Sequence, residues 1–260
     1  LSIWNKWLKK DLSDQIEDVP SILPSPSKVQ KKQFDRMIGL ANKIFSEAQS
    51  HPDQQHIGYY HPIFNFIKLL GMKLQTAYIT NLLYDDDHGE EQKYPRITPE
   101  LLFFEPAARL SFDGKSFFDL IYKEAKVAKS VEIDLKRDLI LPWPWHISRY
   151  VDSITSIGES RPWGNWKQDQ SNHNLQVFLP MGISIVAGGN HSITSGIING
   201  EGTIVVNEVY DLSEIYNYVY TDGIHYKRQE DDAIISEVVN VEFAVIFEVG
   251  KLMIKHGVSR

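Results

Sequence analysis

Cysteine is absent from the 260 residues, which excludes disulfides, thiolate-bound zinc, iron–sulfur clusters and thiol nucleophiles, and fits a reducing cytoplasm. Long unbroken apolar runs are also missing, so no membrane span is expected. The opening LSIWNKWLKK lacks the apolar core of a signal peptide. No Walker loop, G-x-S-x-G elbow, H-E-x-x-H or C-x-x-C occurs, and no internal repeat stands out. Positive charge is in deficit: the formal net charge is −7, which argues against broad coating of DNA but leaves room for a local basic patch. What is present is a packed-protein composition, 42% hydrophobic and 12% aromatic, enough to build a core. A cytoplasmic globular protein is the expectation.

Along the chain, Trp4, Trp7, Leu8, Leu12 and Ile16 suggest a short amphipathic helix, followed by the Pro/Ser connector VPSILPSPSK. Phe34, Met37, Ile38, Ala41, Ile44, Phe45 and Ala48 form one stripe and predict a helix over 29–49. A second helix is expected over 61–83, then a solvated acidic turn, DDDHGEE, at 85–91. Thr98-Pro99-Glu100 reads as a helix start and Pro106 as its end. Ser116–Lys129 also has helical spacing, while Val131, Ile133 and Leu135 alternate as a strand. LPWPW is extended, HISRYVDSITSIG is a helix closed by Gly158, and LQVFLP pairs with GISIVAG through a turn at Met181-Gly182. A hairpin is expected at Thr221-Asp222-Gly223. AIISEVVNVEFAVIFEVGKLMIKHG reads as one helix, with Glu237, Asn240, Ala244, Glu248, Lys251 and Lys255 toward water.

Residues 186–206, VAGGNHSITSGIINGEGTIVV, carry the main functional signal. A strand runs into Gly188-Gly189, Asn190-His191-Ser192 opens a helix ending at Gly200, and TIVVNEV forms the next strand. A strand–glycine turn–helix presents unpaired amides and a positive dipole end to an anion, typically phosphate. The glycines serve equally well for a plain tight turn, with Asn190 or Ser192 as the cap.

Residues 139–209 resemble the N-terminal domain shared by ParB and sulfiredoxin. The resemblance rests on Pro142 and Pro144, Arg149, Ser153-Ile154 with Gly158, the strands at 174–187, the turn Gly188–Ser192, and TIVVNEV. The chain is also similar to a bacterial family marked by this Gly-Asn-His-Ser signature, to which no function is attached. The superfamily resemblance implies a mixed sheet whose glycine turn and histidine hold nucleotide phosphates: CTP in ParB, ATP in sulfiredoxin, ADP in a free-serine kinase. His191 matches that histidine. Asn190 stands where sulfiredoxin has its nucleophilic cysteine, which removes that chemistry. Ser192 replaces the family's arginine, so Arg149, Arg161 or Lys167 would have to supply the charge. No helix-turn-helix follows residue 210, so centromere binding is not implied.

Beside the turn, Asp169, Asn172 and His173 could join His191 to give two imidazoles and a carboxylate, a set suited to acid–base work or a weak divalent-metal site. The same loop is equally explained by Asn and Asp side-chain hydrogen bonds. Trp163 and Trp166 are candidates for stacking on a base. His51, His56 and His61 read as loop histidines, and no dedicated metal site is expected.

The expected architecture is α+β, with a helical region over 1–130 packed on a small ParB/sulfiredoxin-like mixed sheet over 131–260 that ends in a hairpin and helix. The expected function is binding of a phosphate-bearing ligand, a nucleotide or a nucleic acid, with phosphohydrolase, nuclease or phosphotransfer activity in view. His191, Asp169 and His173 are the catalytic candidates. Gly188, Gly189, Asn190, Ser192, Arg149, Arg161 and Lys167 are the phosphate-binding ones. The cofactor is open, a nucleotide with magnesium being the candidate. The alternative is a non-catalytic interaction or regulatory protein of a bacterial mobile element or phage-defence system, with a protein partner or second copy held through the C-terminal helix.

Overall fold

The computed structural model describes residues 27–50, 60–84 and 94–260. The expected N-terminal helix, most of its Pro/Ser connector, the acidic turn, His51 and His56 lie outside them. The chain is an α+β protein with helices at both ends of the described sequence. Helix α1 (Ser27–Ser50) and helix α2 (Ile63–Thr80) follow the apolar stripes, and a 3-10 turn extends α2 to Tyr84. A single helical turn at Pro99–Leu102 starts after Thr98 with proline in its first positions, as the sequence indicates.

Ten strands follow: β1 (Lys126–Val127), β2 (Val131–Asp134), β3 (Ile140–Leu141), β4 (Leu175–Leu179), β5 (Ile183–Val186), β6 (Thr203–Val206), β7 (Glu208–Asp211), β8 (Val219–Thr221), β9 (His225–Arg228) and β10 (Ile234–Glu237). Between them lie helix α3 (Ile147–Ser156) and helix α4 (Asn190–Asn199), and helix α5 (Val241–Lys255) comes last. The main sheet has the order β1-β7-β4-β5-β3, with β4 antiparallel to β5 and parallel to β7. A two-stranded sheet pairs β2 with β6, and a three-stranded one runs β10-β9-β8.

Alternation along the main strands divides the interior in two. Leu141, Phe178, Ile183, Ile185 and Tyr210 face a large core shared with α1, α2 and α5. Ile140, Val177, Leu179, Val186 and Val209 face a smaller core closed by Ile193 of α4, Ile133 and Ile204 of the two-stranded sheet, Ile157 and Trp166. The large core draws side chains from both sides of residue 130.

Three expectations about secondary structure are corrected. Ser116–Lys129 is not one helix: a short π-helix over Asp119–Glu124 gives way to β1, which pairs with β7. TIVVNEV is two strands, because β6 joins β2 while β7, after a break at Asn207, joins β4. AIISE forms β10 against β9, and α5 starts only at Val241, where the Asn240 side chain accepts the Phe243 amide. Nor does the supposed wet face of α5 all reach water. Helix α1 packs along α5, and Ala41 and Ala244 are both fully buried. Glu248 is half-buried, and its carboxylate accepts the Thr221 amide at 2.8 Å. Phe243, Val245, Ile246, Phe247, Val249 and Met253 all lie in the large core, so the wide apolar face of α5 is buried within the fold.

Candidate functional site

Strand β5 ends at Val186, and Ala187-Gly188-Gly189 turns the chain into α4. Gly189 sits in the left-handed region at φ 77°, ψ 23°, as the N-cap, and no side chain caps the helix. Its neighbour loop makes both glycines necessary. A Cβ on Gly188 would lie 2.7 Å from the Asn172 carbonyl, and one on Gly189 would collide with the His173 ring. The backbone thus closes on segment 172–174 from one side. On the other side, the amides of Asn190, His191 and Ser192 meet no acceptor among the described residues. The caps considered from sequence do not form. Asn190 is buried and its Oδ1 accepts the Trp143 amide at 2.6 Å, anchoring the Pro142–Pro144 segment.

His173 is buried and fully engaged. Its Nδ1 accepts the Asp169 amide at 2.8 Å, and its Nε2 lies 2.7 Å from Ser192 Oγ. An acceptor at Nδ1 must be unprotonated, so Nε2 carries the proton and donates it to Ser192, whose hydroxyl donates onward to the Gly189 carbonyl at 3.0 Å. That tautomer is the wrong one for a base that activates Ser192. Burial lowers the imidazole pKa, with the Asp169 charge opposing. The Asp169 carboxylate itself turns to Ser171, accepting its amide at 2.9 Å and its hydroxyl at 2.7 Å. Asp169 and His173 therefore meet through a backbone amide, as in a loop held by its own hydrogen bonds.

His191 faces a different element. Its Nε2 accepts the amides of Trp145 at 3.3 Å and His146 at 3.1 Å, the residues that lead into α3. The starts of α3 and α4 thus converge on one imidazole. Burial, then the nearby Arg149 and His146, pushes the His191 pKa down to about 4, so it is neutral at pH 7. Its lone pair is committed to backbone donors, and it is not poised as a base. His173, His191 and Asp169 are not brought together around a common point, and among the described residues no group of three or more such side chains could hold a metal.

The cations separate along α3 and α4. Arg149, in the first turn of α3, lies over the Trp145 ring at 5.1 Å and adjoins His191. Arg161 instead donates to the Ile157 carbonyl, which also receives Asn199 at 3.1 Å. That is the far end of α4, about 13 Å from the glycine turn at 1.5 Å per residue, so Arg161 cannot clamp an anion there. Lys167 is exposed beside Trp166. A cation that sequence reasoning missed is Arg96, whose guanidinium donates to the Ala187 carbonyl at 3.3 Å. Trp143 Nε1 donates to the Tyr94 carbonyl at 3.1 Å and holds that stretch against the turn. Among the described residues, neither Arg96 nor Arg149 pairs with a carboxylate.

The tryptophans expected to stack on a base do other work or lie elsewhere. Trp166 is buried at 6% exposure, stacks on His173 with ring centroids 4.7 Å apart, and donates its indole N–H to the Ser192 carbonyl at 2.7 Å. Trp163 is 69% exposed, but its amide binds the Ser156 carbonyl at the far end of α3. Trp145 is the indole that borders the corner where α3 and α4 begin, its ring 5.7 Å from His191. A proline-flanked tryptophan next to the helix start was the available signal for it; Arg96 had none, because only the fold brings it there.

A family model described as a family of unknown function (DUF6710) matches residues 21–260. No curated protein and no solved structure matches the chain.

Proposed function

The chain belongs to the DUF6710 family, and we propose that it binds a phosphate-bearing ligand, a nucleotide or a nucleic-acid end, at the corner where α3 and α4 begin. The observation that carries this is the set of three amides at Asn190, His191 and Ser192 that meet no acceptor among the described residues, beside two guanidinium groups, Arg149 and Arg96, that pair with no carboxylate among them. In a chain of net charge −7, a corner with two helix starts and two arginines is a local reversal of sign. Such a reversal attracts anions. Each charge-assisted contact to a phosphate is worth about 1.5–3 kcal/mol. Arg149 and Arg96 take the place of the arginine that the ParB/sulfiredoxin resemblance would have put at Ser192.

The ligand is held rather than turned over. His173 presents a proton to Ser192 instead of a lone pair, and the His191 lone pair is occupied. The interaction or regulatory protein of a mobile element or phage-defence system differs in needing no anion at this corner. Thermal-shift titration with ATP, CTP and a 5′-phosphorylated oligonucleotide, with and without magnesium, separates the two. The Tm should rise with at least one of them, and Arg96→Glu/Arg149→Glu should abolish the rise. A Tm indifferent to all three, or a rise that survives both substitutions, overturns the anion site.

A further inference from the structure

Asp138, in the turn between β2 and β3, is 3% exposed. Its Oδ1 accepts the Tyr60 hydroxyl at 2.9 Å, and its Oδ2 accepts the Asp134 amide at 2.7 Å. The cation that neutralises it comes from far along the chain: Arg260 Nη2 donates to Asp138 Oδ2 at 2.6 Å and to the Glu132 carbonyl at 3.1 Å. The same guanidinium lies over the Tyr60 ring at 5.0 Å, and Arg137 lies over that ring at 5.3 Å. A buried carboxylate, a carbonyl and an aromatic face are the elements that recognise a planar guanidinium and serve an ammonium poorly.

The rest of the segment that carries Arg260 is short and held by few contacts, among them the Arg260 stem beside Gly182. Helix α5 ends at Lys255, and Gly257 then turns the chain at φ 65° with open space around it. The segment is tied by the Gly257 amide on the Ile254 carbonyl at 3.1 Å, the Val258 amide on the Met253 carbonyl at 2.9 Å and Lys129 on the Arg260 carbonyl at 3.0 Å, and Val258 packs against the large core. The Arg260 Nε is buried with no partner among the described residues, so the occupant leaves one of its donors unused there.

We propose that Asp138, Tyr60 and the Glu132 carbonyl form a guanidinium-binding site, independent of the anion corner, that Arg260 fills in cis. The segment after α5 is then a strap closed by one side chain, and an arginine-bearing peptide is the class of ligand that competes for the site. A charged group buried without its partner is strongly unfavourable, so an empty site selects a replacement cation.

The test uses the full chain. Arg260→Ala should lower the Tm by roughly 5–10 °C, and millimolar ethylguanidinium chloride should recover a large part of that loss. Ethylammonium chloride at the same concentration should recover little. In an Asp138→Asn background, Arg260→Ala should cost much less than in the wild type. Arg260→Lys, which keeps the charge and loses the planar fork, should fall between the wild type and Arg260→Ala. The proposal is overturned if Arg260→Ala leaves the Tm unchanged, if both cations rescue equally, if the two losses simply add, or if Arg260→Lys matches the wild type.

Discussion

The Nε2 atom of His191 accepts the backbone amide of His146 at 3.1 Å and that of Trp145 at 3.3 Å, which ties the first turn of α4 to the start of α3. The imidazole works there as a cap, so its protonation breaks a junction instead of enabling catalysis. The pH consequence has a definite sign. A histidine whose pKa falls from 6.5 to about 4 on folding leaves the unfolded chain binding the extra proton between those values. Its contribution is fully present above pH 6.5 and is lost as pH falls toward 4, up to about 3 kcal/mol. His191→Gln, which keeps an acceptor for the two amides, should flatten that part of the pH–stability curve. An unchanged slope in urea titrations between pH 4 and 6.5 would contradict the cap.

Ser192 is a hydrogen-bond relay. Ser192→Ala leaves the buried N–H of His173 without an acceptor, a loss of about 1–3 kcal/mol, and should leave phosphate-ligand affinity within about threefold, since the amide is retained. A serine-directed phosphonate should not label the wild-type protein. Stoichiometric labelling at Ser192 would show that the His173 proton sits on the other nitrogen.

How far such a site can be read from sequence depends on what fixes each part. The strand–glycine turn–helix at 183–199 was legible because its punctuation is local: a short apolar run, two glycines, and Gly200 at the far end. Helices α1 and α2 were legible for the same reason, their stripes being continuous. Residues 116–129 and 233–240 were not, because pairing of β1 with β7 and of β10 with β9 outweighs helical spacing there. The roles of the two histidines depend on amides 4 and 45 residues away, which no spacing rule reveals. Arg96 reaches the turn because its neighbours are anchored by tertiary contacts, Trp143 on the Tyr94 carbonyl, Tyr78 on the Pro95 carbonyl and Ile97 in the large core.

The two candidate stacking residues should behave oppositely. Trp166→Ala empties a buried site under Gly196 and Gly202 and should cost about 3–5 kcal/mol. Trp163→Ala, on an exposed loop, should stay within about 0.5 kcal/mol. Denaturant midpoints for the two variants decide this, and equal effects would contradict the packing.

Glu248 should be a site of easy stabilisation. Burial raises its pKa, with the Thr221 amide and Lys251 opposing. A raised carboxyl pKa means that its stability is greatest below the unfolded value and declines as pH rises through the folded one. Glu248→Gln retains an acceptor for Thr221 and should raise the Tm at pH 7 more than at pH 4. An equal or inverted effect at the two pH values would show that the carboxylate is already well compensated.

The most direct test of the anion corner is an amide-resolved NMR titration with a nucleoside triphosphate, or with a 5′-phosphorylated oligonucleotide where that is the ligand bound. The expected result is a set of concerted shifts at Asn190, His191 and Ser192 that saturate with one dissociation constant and vanish in Arg96→Glu/Arg149→Glu. Binding that leaves those three amides unmoved while shifting others, or no shift anywhere at millimolar ligand, would contradict the account.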